Sequence, residues 1–264
     1  MLVDAKAPEI VVTSVYRTLM LRLERVHEES GMGAFAGPPG LGKTTTARRF
    51  ISGHPGEVVG VTLRFPNSKS VMVLQEVLAA IRRGHGSSDS HCPTNRRELQ
   101  GSIRNALENW AWWQEVNLAL RGGPRMTVVF DEAQNLSPEA IETLRFWNDA
   151  ADDDAPPLAF AFLGNHQFRL EGGASGPSFL SAAVTSRMSY RKTFTYRDLT
   201  DDDLTLLIEA RGVVEPHAVE LLLRHCRSAD VNRDLRLLTR ELDTLVNSGL
   251  PLTAATIRNF LGIS

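Results

Sequence analysis

Cysteine is scarce in this 264-residue chain: Cys92 and Cys226 are too few to build a disulfide framework. Each directly follows a histidine, His91 or His225, and adjacent His-Cys pairs lack the ligand spacing of a structural zinc site. Long apolar runs are missing too, and none approaches the roughly 18 residues that a membrane-spanning helix needs. Residues 1–9 lack the basic start, apolar centre and small-residue cleavage site of a secretory signal, so the default expectation is a cytoplasmic protein with no membrane partner. Net charge is only -2, which excludes a globally basic nucleic-acid binder but leaves room for a local patch. With 42% apolar residues, the chain can bury the core of one α/β domain plus a small appendage.

Against these absences stand two motifs. Gly37, Pro38, Pro39, Gly40, Leu41, Gly42, Lys43 and Thr44 fit G-x-x-x-x-G-K-[ST], a loop whose backbone N–H groups wrap phosphates. Lys43 is expected to reach the β- and γ-phosphates, and the Thr44 hydroxyl is set for Mg2+. Thr45 leads into a helix-compatible stretch over 45–51, and a short run of small and apolar residues over 33–36 precedes the loop, so strand, loop and helix follow in the required order. The helix N-terminus then faces the phosphates, where its dipole and free N–H groups favour negative charge.

The second motif, over 126–132, is an apolar strand ending in Asp131 and Glu132. Consecutive strand residues point to opposite faces, yet at a strand's carboxyl end both can approach a ligand. Asp131 is the expected Mg2+ ligand and Glu132 the expected general base that polarises an attacking water. The competing reading of Glu132 is a helix cap or a partner for a nearby Arg. A strand over 158–163 ends in Gly164-Asn165, whose amide is a candidate to hold that water or touch the γ-phosphate. The cofactors expected are ATP and Mg2+.

The rest of the chain alternates helix and strand signals. Residues 14–28 mix apolar Val15, Leu19, Leu21, Leu23 and Val26 with Arg and Glu, as an amphipathic helix does. A strand over 58–63, a helix over 71–81, a Gly-, Ser- and His-rich loop over 84–95 and a helix over 97–120 follow. Trp110, Trp112 and Trp113 on that helix could stack on bases, but tryptophans at near-helical spacing are more often core or interface. Ser137-Pro138 reads as a helix start. Beyond the 158–163 strand come a Gly-rich stretch over 171–177, a helix over 179–188 and an edge-like strand over 191–196. From 198 only helices are expected, over 201–210, 216–227, 234–246 and 254–260. Five strands interleaved with helices predict an α/β fold with a mostly parallel sheet, followed by a small all-helical subdomain. No internal repeat is visible.

Charge is uneven along this pattern. Over 64–104, Arg64, Lys69, Arg82, Arg83, Arg96, Arg97 and Arg104 outnumber Glu76, Asp89 and Glu98. Acids gather instead at Asp149, Asp152, Asp153 and Asp154, and at Asp201, Asp202 and Asp203, by default solvated positions.

The two nucleotide motifs, Asn165 after the fourth strand, Ser186-Arg187 before the fifth and the helical C-terminal segment occur in an order that resembles an AAA+ ATPase over nearly the whole chain. More narrowly, Leu163-Gly164-Asn165, then Phe168-Arg169-Leu170-Glu171-Gly172, a Gly-rich stretch, Ser186-Arg187 and Arg191 resemble the DNA-transposition ATPases typified by the phage Mu B protein and its transposon relatives. The resemblance implies a lead-in over 1–30, a P-loop ATPase core over 31–197 and a helical lid over 198–264. It places Asn165 at sensor one and Arg187 at an arginine finger that enters a neighbouring subunit's site, with Arg191 as runner-up. It also places Arg233 at the lid's sensor two, with Arg236 one helical turn on. An Arg in trans adds positive charge to the transition state, worth about 10³ to 10⁵ in rate. The plain reading of each is a surface ion pair.

The resemblance further implies a slow ATPase, stimulated by DNA or a partner, that self-associates into rings or helical filaments on double-stranded DNA and recruits or activates a transposase. DNA-facing residues of such proteins follow the second strand, where the basic bias lies; Arg64, Lys69, Arg82, Arg83 and Arg97 are the candidates. Contacts there go to phosphates, so binding is expected to be largely sequence-independent and salt-sensitive. Segment 1–30 leaves no room for the Mu protein's helix-turn-helix domain. Two other readings stay open: a helicase loader or initiator with the same ATP chemistry, and a signalling or secretion-linked nucleotide switch that never binds DNA.

Overall fold

The computed structural model describes residues 10–87, 91–118, 125–149, 158–172, 178–228 and 231–262, without the side chains of 112–118. Expectations for 1–9, Asp89, 119–120, 152–154, 173–177 and the side chains of Trp112 and Trp113 lie outside the described residues. The chain forms two compact units, one of 19–37 and 44–193, the other of 1–18, 38–43 and 194–264.

The first unit holds a five-stranded sheet of β1 (Met32–Ala36), β2 (Val58–Thr62), β3 (Met126–Asp131), β4 (Leu158–Gly164) and β5 (Met188–Thr193). The strand order is β2-β3-β4-β1-β5 and every pair is parallel. Parallel neighbours need crossover connections, and these are supplied by α2 (Lys43–Gly53), α3 (Ser70–Gly84), α4 (Arg96–Leu118), α5 (Pro138–Asp149) and α6 (Ala182–Arg187). β1 and β4 are buried along their whole length and β3 up to Asp131, as continuous apolar strands covered on both faces should be. β5, on the sheet edge, buries only Met188 and then alternates exposed and half-buried positions. Phe130 and Phe162 stack at 5.4 Å on neighbouring strands, while Leu99, Ile103 and Leu107 bring one face of α4 into the same core. Each such side chain contributes about 1.5–3 kcal/mol on burial.

Ser137 caps α5 as its sequence implies, its Oγ accepting from Ala140 N at 3.1 Å. The helix expected over 71–81 runs on to Gly84 and that over 45–51 spans Lys43–Gly53, and two further elements shift by more. The helix expected over 179–188 shortens to α6, because Phe179 N is spent on Arg169 O at 2.8 Å and Ser181 Oγ accepts from Val184 N as the N-cap. The strand expected over 191–196 begins at Met188, paired with Met32, and stops at Thr193. It ends there because Thr195 caps a 3-10 turn over Tyr196–Asp198.

The second unit contains the first residues of α1 (Ser14–Glu28), the loop residues Pro38–Lys43, and α7 (Asp201–Glu209), α8 (Pro216–Arg227), α9 (Leu235–Asn247) and α10 (Ala254–Leu261). Leu204, Ile208, Leu222, Leu238, Leu242 and Ile257 form its core. Asp203, expected to be solvated, is 1% exposed. Its carboxylate accepts from Ser14 N at 2.8 Å and Thr200 N at 2.9 Å, and Thr200 Oγ1 accepts from Asp203 N in return. That reciprocal pair is a capping box, and two helix starts in need of acceptors draw the acid inside. Among the described residues no helix is long and apolar enough to cross a membrane.

Candidate nucleotide site

Because every strand pair is parallel, the strands' carboxyl ends share one edge, where open α/β sheets bind their ligands. The register pairs Ala36 with Gly164, Phe130 with Phe162 and Thr62 with Asp131. Gly37 therefore leaves β1 on the edge that also carries Asp131, Glu132 and Asn165.

The phosphate-loop motif joins β1 to α2. Gly40 and Gly42 have φ of 79° and 85°, which favour glycine. Gly40 is doubly constrained, since a Cβ there would lie 1.8 Å from Asp234 Oδ1. Asp234 is the N-cap of α9, accepting from Arg236 N at 2.8 Å and Leu237 N at 3.3 Å. Leu235 N donates to Gly40 O at 2.9 Å, and the Tyr196 hydroxyl donates to Pro39 O at 3.1 Å. Burial, then the Asp234 carboxylate, raise the Tyr196 pKa, so its hydroxyl keeps the proton it donates. Lys43 Nζ donates to Pro38 O at 2.7 Å.

ATP and Mg2+ fit this donor set. Thr44 and Asp131 offer the oxygen ligands that Mg2+ prefers, and a Cβ placed at Gly42 would meet open space, leaving room beside the loop.

Glu132 departs from the strand reading. β3 ends at Asp131, and Glu132 takes a left-handed conformation, φ 59° and ψ 42°, before a 3-10 turn over Ala133–Asn135. Asp131 Oδ1 accepts from Glu132 N at 3.0 Å, and Glu132 O accepts from Asn135 N at 2.9 Å. Gln134 Nε2 donates to Glu132 Oε2, and Gln134 Oε1 accepts from Asn165 N at 3.0 Å. Asn165 Oδ1 accepts from Gln167 N at 2.8 Å. Gly164 is required just before it, because a Cβ there would stand 2.4 Å from Phe168 Cβ.

The candidate arginines are distributed differently from one another. Arg187 ends α6, 56% exposed, with Nε 3.3 Å from Asp149 Oδ1. Arg191 is exposed on β5. Arg233 is committed inside its own unit, donating to Leu199 O and, at 3.0 Å, to Asp201 Oδ1. Arg236 instead belongs to the surroundings of Tyr196, where its charge opposes that of Asp234.

The five basic candidates for DNA do not form one patch. Arg64 and Lys69 are exposed on the loop between β2 and α3, whereas Arg82 and Arg83 lie in the last turn of α3, about 20 Å along the helix at 1.5 Å per residue. Arg82 lines a separate cavity of about 720 Å3 with Gly56, His85 and Trp110. Arg97 is exposed in the first turn of α4. The β2–α3 loop also presents Phe65, 66% exposed. It is fixed to the segment after Glu132: Asn135 Nδ2 donates to Leu63 O at 2.8 Å and Ser68 N donates to Asn135 O at 2.7 Å.

Sequence reasoning did not single out Gln134, Tyr196 or Phe65. Only Asp234 carried a local signal, as an acid opening a helix.

A family model described as AAA domain matches residues 26–170. No curated protein matches the chain. Among solved structures, Cdc6p from Pyrobaculum aerophilum is similar with a TM-score of 0.63 at 18% identity, over 94% of this chain and 64% of that one. The Thermotoga maritima RuvB Holliday junction branch migration motor gives 0.52 at 20% identity, over 94% and 68%. Drosophila ORC bound to DNA gives 0.54 at 16% identity, over 98% and 62%. The chain thus spans less than two thirds of Cdc6p and of the ORC chain, and at these identities the likeness is one of fold.

Proposed function

This chain belongs to the AAA domain family, an AAA+ ATPase by fold, and from that premise we propose that it hydrolyses ATP to assemble on duplex DNA and regulate transposition by selecting target DNA and recruiting or activating a transposase. The observation that carries the ATPase part is the convergence of Gly37, Asp131, Glu132 and Asn165 on one sheet edge. The phosphate loop binds the nucleotide through its N–H groups, with Lys43 on the β- and γ-phosphates. Thr44 and Asp131 would hold Mg2+, which when bound neutralises charge across the phosphate oxygens. Glu132 takes a proton from the attacking water, and Asn165 orients that water or the γ-phosphate. Arg187 completes the site of a neighbouring copy, its exposure at the end of α6 leaving it able to exchange partners. In the lid, Arg233 is the sensor-two arginine that attends the phosphates, with Arg236 one helical turn on.

The DNA part rests on the resemblance over 163–191 and on the exposed Arg64-Phe65 loop with Lys69. The structural similarity to Cdc6p and to ORC bound to DNA favours a second reading, an initiator or helicase loader with the same ATP chemistry. Electron microscopy with duplex DNA and a slowly hydrolysed ATP analogue tests the assembly, and the expected image is a ring or helical filament with DNA inside. Pull-down separates the readings: retention of a transposase supports the first, retention of a replicative helicase supports the second. DNA that is not retained even at low salt with ATP present abandons both.

A further inference from the structure

We propose that Gln134 is a positioning residue that ties the general base Glu132 to the phosphate-sensing end of β4. Three observations carry it. Glu132 is a non-glycine residue held at φ 59°, a conformation costly for a side chain with a Cβ, so its place is imposed by its surroundings rather than by its own preference. Its carboxylate Oε2 accepts from Gln134 Nε2. The other end of the same amide, Gln134 Oε1, accepts from the backbone N of Asn165 at 3.0 Å.

The amide's orientation is fixed by its partners. A carboxylate only accepts and a backbone N–H only donates, so Nε2 must face Glu132 and Oε1 must face Asn165. Only a side chain with a donor and an acceptor on one rigid plane can serve both. Glutamate in its place would keep the bond to Asn165 N but set two carboxylates against each other, while an apolar isostere would lose both contacts. The 3-10 turn supplies the geometry, since Asn135 N closes onto Glu132 O and leaves Gln134 half-buried between the ends of the adjacent strands β3 and β4. With Oε2 held by Gln134, Oε1 is the oxygen that takes a proton from water. Movement of Asn165 on phosphate contact then reaches Glu132 through one side chain. Small displacements of a base matter, because a 1 Å error can cost about 10²-fold in rate.

This inference rests on the reading of Glu132 as general base, and the test separates the two. Glu132→Gln, Gln134→Met, Gln134→Glu and the double variant Glu132→Gln/Gln134→Met are compared for ATPase turnover, KM for ATP and melting temperature. Gln134→Met is expected to lower kcat about tenfold or more with KM within about twofold and an unchanged melting temperature, the signature of lost orientation rather than lost binding. Gln134→Glu should be at least as slow. In the Glu132→Gln background, Gln134→Met should have no further effect, since a residue that acts through Glu132 has nothing left to position. A Gln134→Met rate equal to or above the parent's, or an undiminished effect in the double variant, overturns the inference while leaving Glu132 as base. Parental turnover by Glu132→Gln removes the base reading itself.

Discussion

His27 is a buried histidine whose surroundings tie the stability of this protein to pH. It is buried at the end of α1, with Nε2 3.2 Å from Glu57 Oε2 and Nδ1 2.7 Å from Thr127 Oγ1. A carboxylate only accepts, so Nε2 carries the hydrogen and Nδ1 accepts from the Thr127 hydroxyl, as the neutral ring can. Burial pushes its pKa down and His54 adds to that, outweighing the Glu57 hydrogen bond that pulls it up. His85 is pushed down by burial as well. A histidine whose folded pKa is lowered contributes full stability above the ordinary value of about 6.5, and that stability is lost as pH falls through the folded value. The melting temperature should therefore be level above about pH 6.5 and decline below it. His27→Gln, which keeps a donor for Glu57, should flatten part of that decline; an equal decline in the variant would assign the acid limit elsewhere.

At the scale of elements, the capping box at α7 bears weight that its sequence did not advertise. Asp203→Ala would leave the N–H groups of Ser14 and Thr200 without their acceptor inside the protein, and a lost cap with a buried donor costs about 2–4 kcal/mol. Denaturant unfolding of Asp203→Ala against Asp202→Ala checks this, with only the former expected to fall by that amount. The same element shows what the sequence could and could not disclose. Helices such as α1 and α8 were readable to the residue, because amphipathic spacing and terminal Pro216 are local signals. The strand-loop-helix order around 37–44 and the strand ending at Asp131 were readable because a motif of fixed spacing marks each. β5 and α6 shifted because their limits depend on Met32 and Arg169, partners distant in sequence. Gln134 was invisible for the same reason: an amide two residues after a Glu gains meaning only when Asn165 arrives from another strand.

At the scale of the whole molecule, the proposed assembly makes sites that no single copy completes. Arg187→Ala and Glu132→Gln chains should each bind nucleotide and turn over slowly alone, because one lacks the finger and the other the base. Mixed together, hybrid interfaces that take Glu132 from one copy and Arg187 from the other should recover part of the parental ATPase rate. Steady-state turnover against mixing ratio checks this, and a flat line assigns the finger to Arg191 or the arginine to its own chain's site.

The inner residues of the phosphate loop pack as part of the C-terminal helical unit, with the Tyr196 hydroxyl and Leu235 N bonded to Pro39 O and Gly40 O. A gene copy interrupted near codon 194 would still encode the whole phosphate-loop motif and the Asp-Glu pair, and a motif search would score it as intact. Its product would have lost every one of those fastenings. Legibility of the motif and competence of the loop are therefore separate traits, and the second is written about 157 to 195 codons downstream of the first.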